Sequence, residues 1–146
     1  MKSVILICHL LSVGLWLGCV LTEALFERAL LGQGPQAELT LAALHWRVDR
    51  WVEIPAFTAV VGTGLALWPG SAASDLLVWK VAGAGVAVAA NLWCVGLVVK
   101  RLAQARRGDW ATFAATDQLQ HKVGAVVLVG ILLAGGLGLF IAAQAA

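Results

Sequence analysis

Seven ionisable side chains fall into three sets spaced four residues apart: Glu23 and Glu27; His45, Asp49 and Glu53; Asp117 and His121. Residues four apart share a helix face, so three helices each present a stripe of carboxylate or imidazole. A mixed carboxylate–imidazole set suits iron, manganese or zinc, whereas thiolate-loving metals favour cysteine. Facing helices of four-helix bundles build di-iron sites from inward-pointing Glu and His. The pattern here departs from the ferritin-like one, which spaces Glu and His three apart. A metal-free alternative stands beside it. Arg28, Arg47, Arg50 and Lys122 lie among these acids, and a salt-bridge network at a membrane rim satisfies all of them.

A second pair is His9 and Lys80. Both fall near the start of apolar segments that run in the same direction, so they share a depth. Neutral imidazole is a good axial ligand for haem iron, and a buried lysine amine ligates once its pKa falls. The plainer readings are a hydrogen bond from His9 to a neighbouring helix and snorkelling of Lys80 beside Trp79. His45 and His121 form a further cross-bundle pair able to clasp one haem, in competition with the carboxylate-metal reading.

Other chemistries find little support. Cys8, Cys19 and Cys94 sit in apolar runs with no zinc spacing and read as small buried hydrophobes. Serines lack a nearby histidine with an orienting acid, apart from Ser12 near His9, so nucleophilic catalysis is not expected. There is no basic face with interleaved aromatics and the net charge of +2 is small, so no nucleic-acid partner is expected.

The elements that must position these groups are membrane helices. Of 146 residues, 61% are hydrophobic and 12% charged, which is membrane composition. About 20 apolar residues span a bilayer, and four such segments are expected within one domain covering 1–146. They run from about Val4 to Leu31, from Pro35 to Trp68, from near Ser74 to about Arg106, and from near Ala111 to the C-terminus. Gly32–Pro35 breaks the first pair, and Pro69–Gly70–Ser71 ends the second segment. Pro55 cannot donate to the Trp51 carbonyl, so a kink or a freed acceptor is expected there. Glu23 lies eleven residues before Gly34 and His45 eleven after it, so an antiparallel hairpin sets them at one height, with Asp49 and Glu53 deeper. Glycines such as Gly14, Gly18, Gly83, Gly130 and Gly138 allow close helix approach and permit a homo-oligomer.

The first twenty residues read as a spanning helix rather than a cleaved signal peptide, because His9 interrupts the apolar core and Trp16–Leu17 fits a processing site poorly. Arg28, Arg47, Arg50, Lys100, Arg101, Arg106, Arg107 and Lys122 flank the first and third connections, against Lys2 and Lys80 on the other side. The positive-inside rule places those connections in the cytoplasm and both termini outside, in a multi-pass protein of a bacterial-type inner membrane.

His9, Trp16 and Gly18 in the first helix, with Trp79–Lys80 and Asn91 in the third, resemble the four-helix membrane group that holds HemJ-type protoporphyrinogen oxidases and CopD copper-resistance domains. Glu53–Ala56 with Gly62 and Gly64 is similar to that group's second helix. The resemblance implies a haem b held by His9 and Lys80, in electron transfer or oxidation of a hydrophobic or porphyrin-like substrate with a membrane redox partner. Its CopD branch implies copper. The His45, Asp49, Glu53 stripe lies outside the resemblance. Three functions are therefore carried forward: a haem oxidoreductase; a non-haem iron, manganese, zinc or copper site for catalysis or ion passage; and an accessory subunit whose acids and arginines dock a partner.

Overall fold

The structure, a computed structural model, describes residues 2–68 and 74–144. It is built of four helical rods. The first is α1, Lys2–Leu30. The second joins α2, Pro35–Val48, through a π-helical turn at Asp49–Glu53 to α3, Ile54–Leu67. The last two are α4, Asp75–Arg107, and α5, Trp110–Gln144. Among the described residues there is no strand. The expected stop at Pro69–Gly70–Ser71 lies outside the described residues.

Local chemistry sets the rod ends. Gly34 adopts φ 98°, a backbone open to glycine, and hands over to Pro35, whose missing N–H costs nothing in a first turn. The Ser74 hydroxyl caps α4 by accepting from Leu77 N–H at 3.2 Å. Gly108, at φ 69°, closes that helix in the left-handed conformation. One residue later the Asp109 carboxylate accepts from Thr112 N–H at 3.3 Å, and those Thr112 hydrogen bonds hold its carboxyl below the usual range.

Helices α1, α4 and α5, at 29, 33 and 35 residues, are long and apolar enough to cross a membrane. Their outward faces carry Leu11, Leu25, Val129 and Leu139, each about two-thirds exposed. A water-soluble monomer does not display that much apolar surface, and the protein is a multi-pass membrane protein. The second rod differs. Its apolar part, α3, has 14 residues, about 21 Å of helix, and its first half carries the ionisable stripe.

The π turn is the structural answer to Pro55. Ile54 N–H reaches back five residues to the Asp49 carbonyl. The wider turn gives the proline ring room where an α-helix would drive it against the Trp51 carbonyl. It also re-aims the stripe. In an α-helix four residues overshoot a full turn by about 40°; the widened turn removes that overshoot, so Asp49 and Glu53 stay on the face of His45.

Two apolar layers bracket the polar one. On one side Trp16, Phe57, Val60, Ala87, Val127 and Ile131 pack together, drawing on all four rods. Toward the first and third connections, Ala42, Leu102, Ala105 and Phe113 form the other layer. Along each rod the site residues fall between the two. Helices α4 and α5 approach closely: a methyl on Gly130 would lie 2.8 Å from the Ala87 side chain and 3.1 Å from the Gly83 carbonyl.

Candidate metal centre

The three stripes converge on His45. Its Nε2 lies 3.0 Å from Glu23 Oε2, and its Nδ1 lies 3.3 Å from Glu27 Oε1. Glu23 and His45, equidistant from Gly34 in sequence, thus meet across the hairpin. Asp49 and Glu53 follow on the same face, within hydrogen-bonding reach of each other. Glu53 Oε1 accepts from the Trp16 indole N–H at 3.1 Å, and the same N–H lies 3.4 Å from Asn91 Oδ1. Glu23, Glu27, His45, Asp49, Glu53 and Asp117 are all buried; His121 is half-exposed at the rim.

The cation inside this cluster is Arg101. Its guanidinium is wholly buried, donating to Glu27 Oε1 at 2.8 Å and pairing with Asp117. It stacks 5.6 Å above the Phe113 ring and brings Nη2 within 3.2 Å of His45 Nδ1. The ion-pair network expected from Arg28, Arg47, Arg50 and Lys122 is not the one found: among the described residues, Arg101 takes that part, while Arg50 stacks on Trp51 at 5.1 Å. Gln120 adds its amide nitrogen 3.3 Å from His45 Nδ1.

In the sequence Arg101 stands out only as a cytoplasmic positive charge, Asn91 only within the resemblance, and Gln120 not at all, and nothing there marks Trp16 as a partner of Glu53. One signal points to Arg101. Arg101 lies sixteen residues before Asp117 across the tight α4–α5 turn, a spacing that brings two facing helices level.

Among the described residues, two groups of three could hold an ion. Glu23, His45 and Asp49 offer ligand atoms within 4.8 Å of one another, as do Glu27, Asp117 and His121. The second group already embraces Arg101, and His121 is further tied through Nδ1 to the Asp117 carbonyl at 2.9 Å. The first group has no such cation. Glu23 Oε1 and Asp49 Oδ2 are buried without a hydrogen-bond partner. His45 Nε2 and Glu23 Oε2 are both lone-pair bearers, so a proton or a cation must lie between them at 3.0 Å. Glu27 is placed to accept from Nδ1–H, the pairing that fixes the tautomer of a metal-ligating histidine.

The charge balance points the same way. Five buried carboxylates face one arginine and two imidazoles. Even with both imidazoles protonated, two negative charges remain. Burial without compensation is costly, so protons shared between acids, or a divalent cation, must supply the balance.

A cavity of about 230 Å³ opens beside the cluster, bounded by all four rods. Glu23, Glu27, His45, Asp49, Glu53, Asn91, Gln120 and His121 face it, together with apolar side chains and Cys94, which is half-buried there rather than a fully buried hydrophobe. Cys8, Cys19 and Cys94 are all free thiols.

His9 and Lys80 lie apart from this cavity. His9 Nδ1 is 2.8 Å from the Thr63 hydroxyl, which itself donates to the Ala59 carbonyl at 2.6 Å. Thr63 therefore accepts from Nδ1–H, and the lone pair of His9 resides on Nε2. The ring rests against Gly64, where a methyl would come within 3.4 Å, and the Lys80 stem rests against Gly138, at 3.2 Å. Lys80 is close enough for its charge to be felt at the ring. An imidazole donor fit to bind iron is thus present. The cavity of about 230 Å³ is lined by neither residue, and its volume falls below the roughly 300–1,000 Å³ of ordinary cofactor pockets. A haem does not fit that cavity.

Fold and site together define an all-helical, multi-pass membrane protein with a carboxylate–imidazole–arginine cluster buried among its helices. No protein-family model, curated protein or solved structure matches the chain.

Proposed function

We propose that the protein is a four-span membrane bundle that binds a divalent cation of the iron, manganese or zinc class through Glu23, His45 and Asp49. The observation that supports this reading is a buried imidazole 3.0 Å from Glu23 Oε2, beside Glu23 Oε1 and Asp49 Oδ2, which are buried without a hydrogen-bond partner, in a cluster whose single arginine leaves negative charge over. Glu27 holds the His45 ring; Arg101 and Gln120 hold Glu27 and the ring from behind. Glu53, tied to Trp16, closes the inner end. The ion replaces the proton between His45 and Glu23, so binding releases protons.

When bound, the ion supplies Lewis-acid or redox chemistry to a substrate oxygen. The chain's own part is to fix that ion in a polar layer between two apolar ones. The bundle would sit in a bacterial-type cytoplasmic membrane with the α1–α2 and α4–α5 connections inside, as the lysines and arginines around them direct. A haem at His9 is the second reading, favoured by the Thr63 bond that leaves Nε2 with a lone pair.

Elemental analysis with a visible spectrum separates the two. Colourless or weakly coloured protein carrying about one iron, manganese or zinc per chain, lost in His45→Ala and kept in His9→Ala, is the expected result. A Soret band lost in His9→Ala would establish the haem reading. Metal-free wild type that copurifies with another membrane protein would instead favour an accessory subunit.

A further inference from the structure

The cavity beside the cluster opens sideways. Its mouth lies between α1 and α5, at Leu21 and Ala24 on one helix and Ala125 on the other, all on the outward apolar surface. Gly124 lines the passage, and a methyl added there would meet nothing within 4 Å. Both helices are long and apolar enough to lie in the bilayer, so this side of the mouth faces acyl chains, while half-exposed His121 lines the cavity toward the α4–α5 connection. Inside, apolar walls lead to a polar floor. On that floor Glu23 Oε1 and Gln120 Oε1 are buried acceptors to which nothing donates, on side chains more than nine-tenths buried.

We propose that this passage admits a lipid-dissolved ring compound bearing a hydroxyl group, a phenol or hydroquinone, whose O–H donates to Glu23 or Gln120 while its apolar tail remains in the bilayer. This deepens the metal-site reading and rests on the same cluster, naming the substrate class that reaches it. Size agrees: a cavity of roughly 150 Å³ holds a benzene ring, and this one offers about 230 Å³. Chemistry agrees as well. An acceptor-only carboxylate and an amide oxygen select a donor and reject an ether of the same shape, because the ether leaves them unpaired.

The test uses tritiated 4-octylphenol bound to the purified full chain in micelles, in the presence of a chelator. Metal content is assayed separately, so that failure of one reading does not mask the other. Saturable binding near one per chain is expected, with 4-octylanisole competing at least about tenfold more weakly. Gly124→Leu, growing into the passage, and Ala125→Leu, at its mouth, should each weaken binding by about tenfold or more. Val129→Leu, on the outward face away from the cavity, should leave it unchanged. Non-saturable uptake, equal competition by the anisole, or full binding in both passage variants would overturn the proposal. Phenol binding in a chain that takes up no metal would sink the metal-site reading and leave the lateral entrance standing.

Discussion

At the scale of single residues, Arg101 is the group on which the cluster depends. A guanidinium with no exposed surface is tolerable only because Glu27 and Asp117 receive it and Phe113 lies beneath it. Removing it strands two buried carboxylates in a layer already rich in them. Arg101→Met should therefore destabilise the bundle by about 3–5 kcal/mol, read as a fall in the thermal midpoint of helical circular dichroism in micelles. Arg101→Lys, a point charge without the planar fork, should recover only part of that loss. A midpoint for Arg101→Met within error of wild type would show that the acids carry protons and do not need the arginine. The seven ionisable residues were legible in the sequence because their spacing matches the helical period. Arg101 and Gln120 were not, because their value comes from which neighbour they face, and that is fixed by packing between α4 and α5 rather than by any local pattern.

At the scale of elements, the π turn at Asp49–Glu53 is what makes one stripe out of His45, Asp49 and Glu53. Pro55 marked the place in the sequence, and a kink or free carbonyl was the expected outcome. A change of helical winding was not, since an i→i−5 hydrogen bond leaves no compositional signature of its own. Pro55→Ala restores a donor for the Trp51 carbonyl and allows the turn to tighten. The expected result is a helical protein at least as stable as wild type whose affinity for added manganese falls by about 10–100-fold, because the ligands rotate off their common face. Unchanged affinity would mean that something other than the proline sets the π winding. Both ends of α1 and α4 and the start of α5 fall within two residues of expectation. Gly34–Pro35, Ser74 and Gly108 are local signals that depend on little beyond their neighbours.

At the scale of the whole molecule, a polar layer lies between two apolar ones, with lipid-facing leucines and valines outside. This arrangement explains how an otherwise apolar chain tolerates so many buried charges: each rod contributes part of the layer, and the bundle seals it above and below. Composition and hydropathy made the membrane class readable at once, whereas the second rod, interrupted by its own ionisable stripe, is less apolar than its neighbours. The proposed four-span topology places the α1–α2 and α4–α5 connections in the cytoplasm. Single cysteines at Gln33 and Gly108, in a chain with Cys8, Cys19 and Cys94 replaced by alanine, should react with a membrane-impermeant maleimide only after the membrane is opened. A cysteine at Lys2 should react in intact cells. The reverse pattern would invert the topology and place the cluster near the outer face.

X-ray absorption at the edge of the metal the purified protein carries, or of manganese added to it, tests the central assignment most directly. A shell of oxygen and nitrogen neighbours at about 2.0–2.2 Å, with the outer-shell scattering of one imidazole that disappears in His45→Ala, is the predicted spectrum. A sulfur shell from Cys94, a planar four-nitrogen porphyrin shell, or a spectrum of hydrated ion alone unaffected by His45→Ala would contradict it.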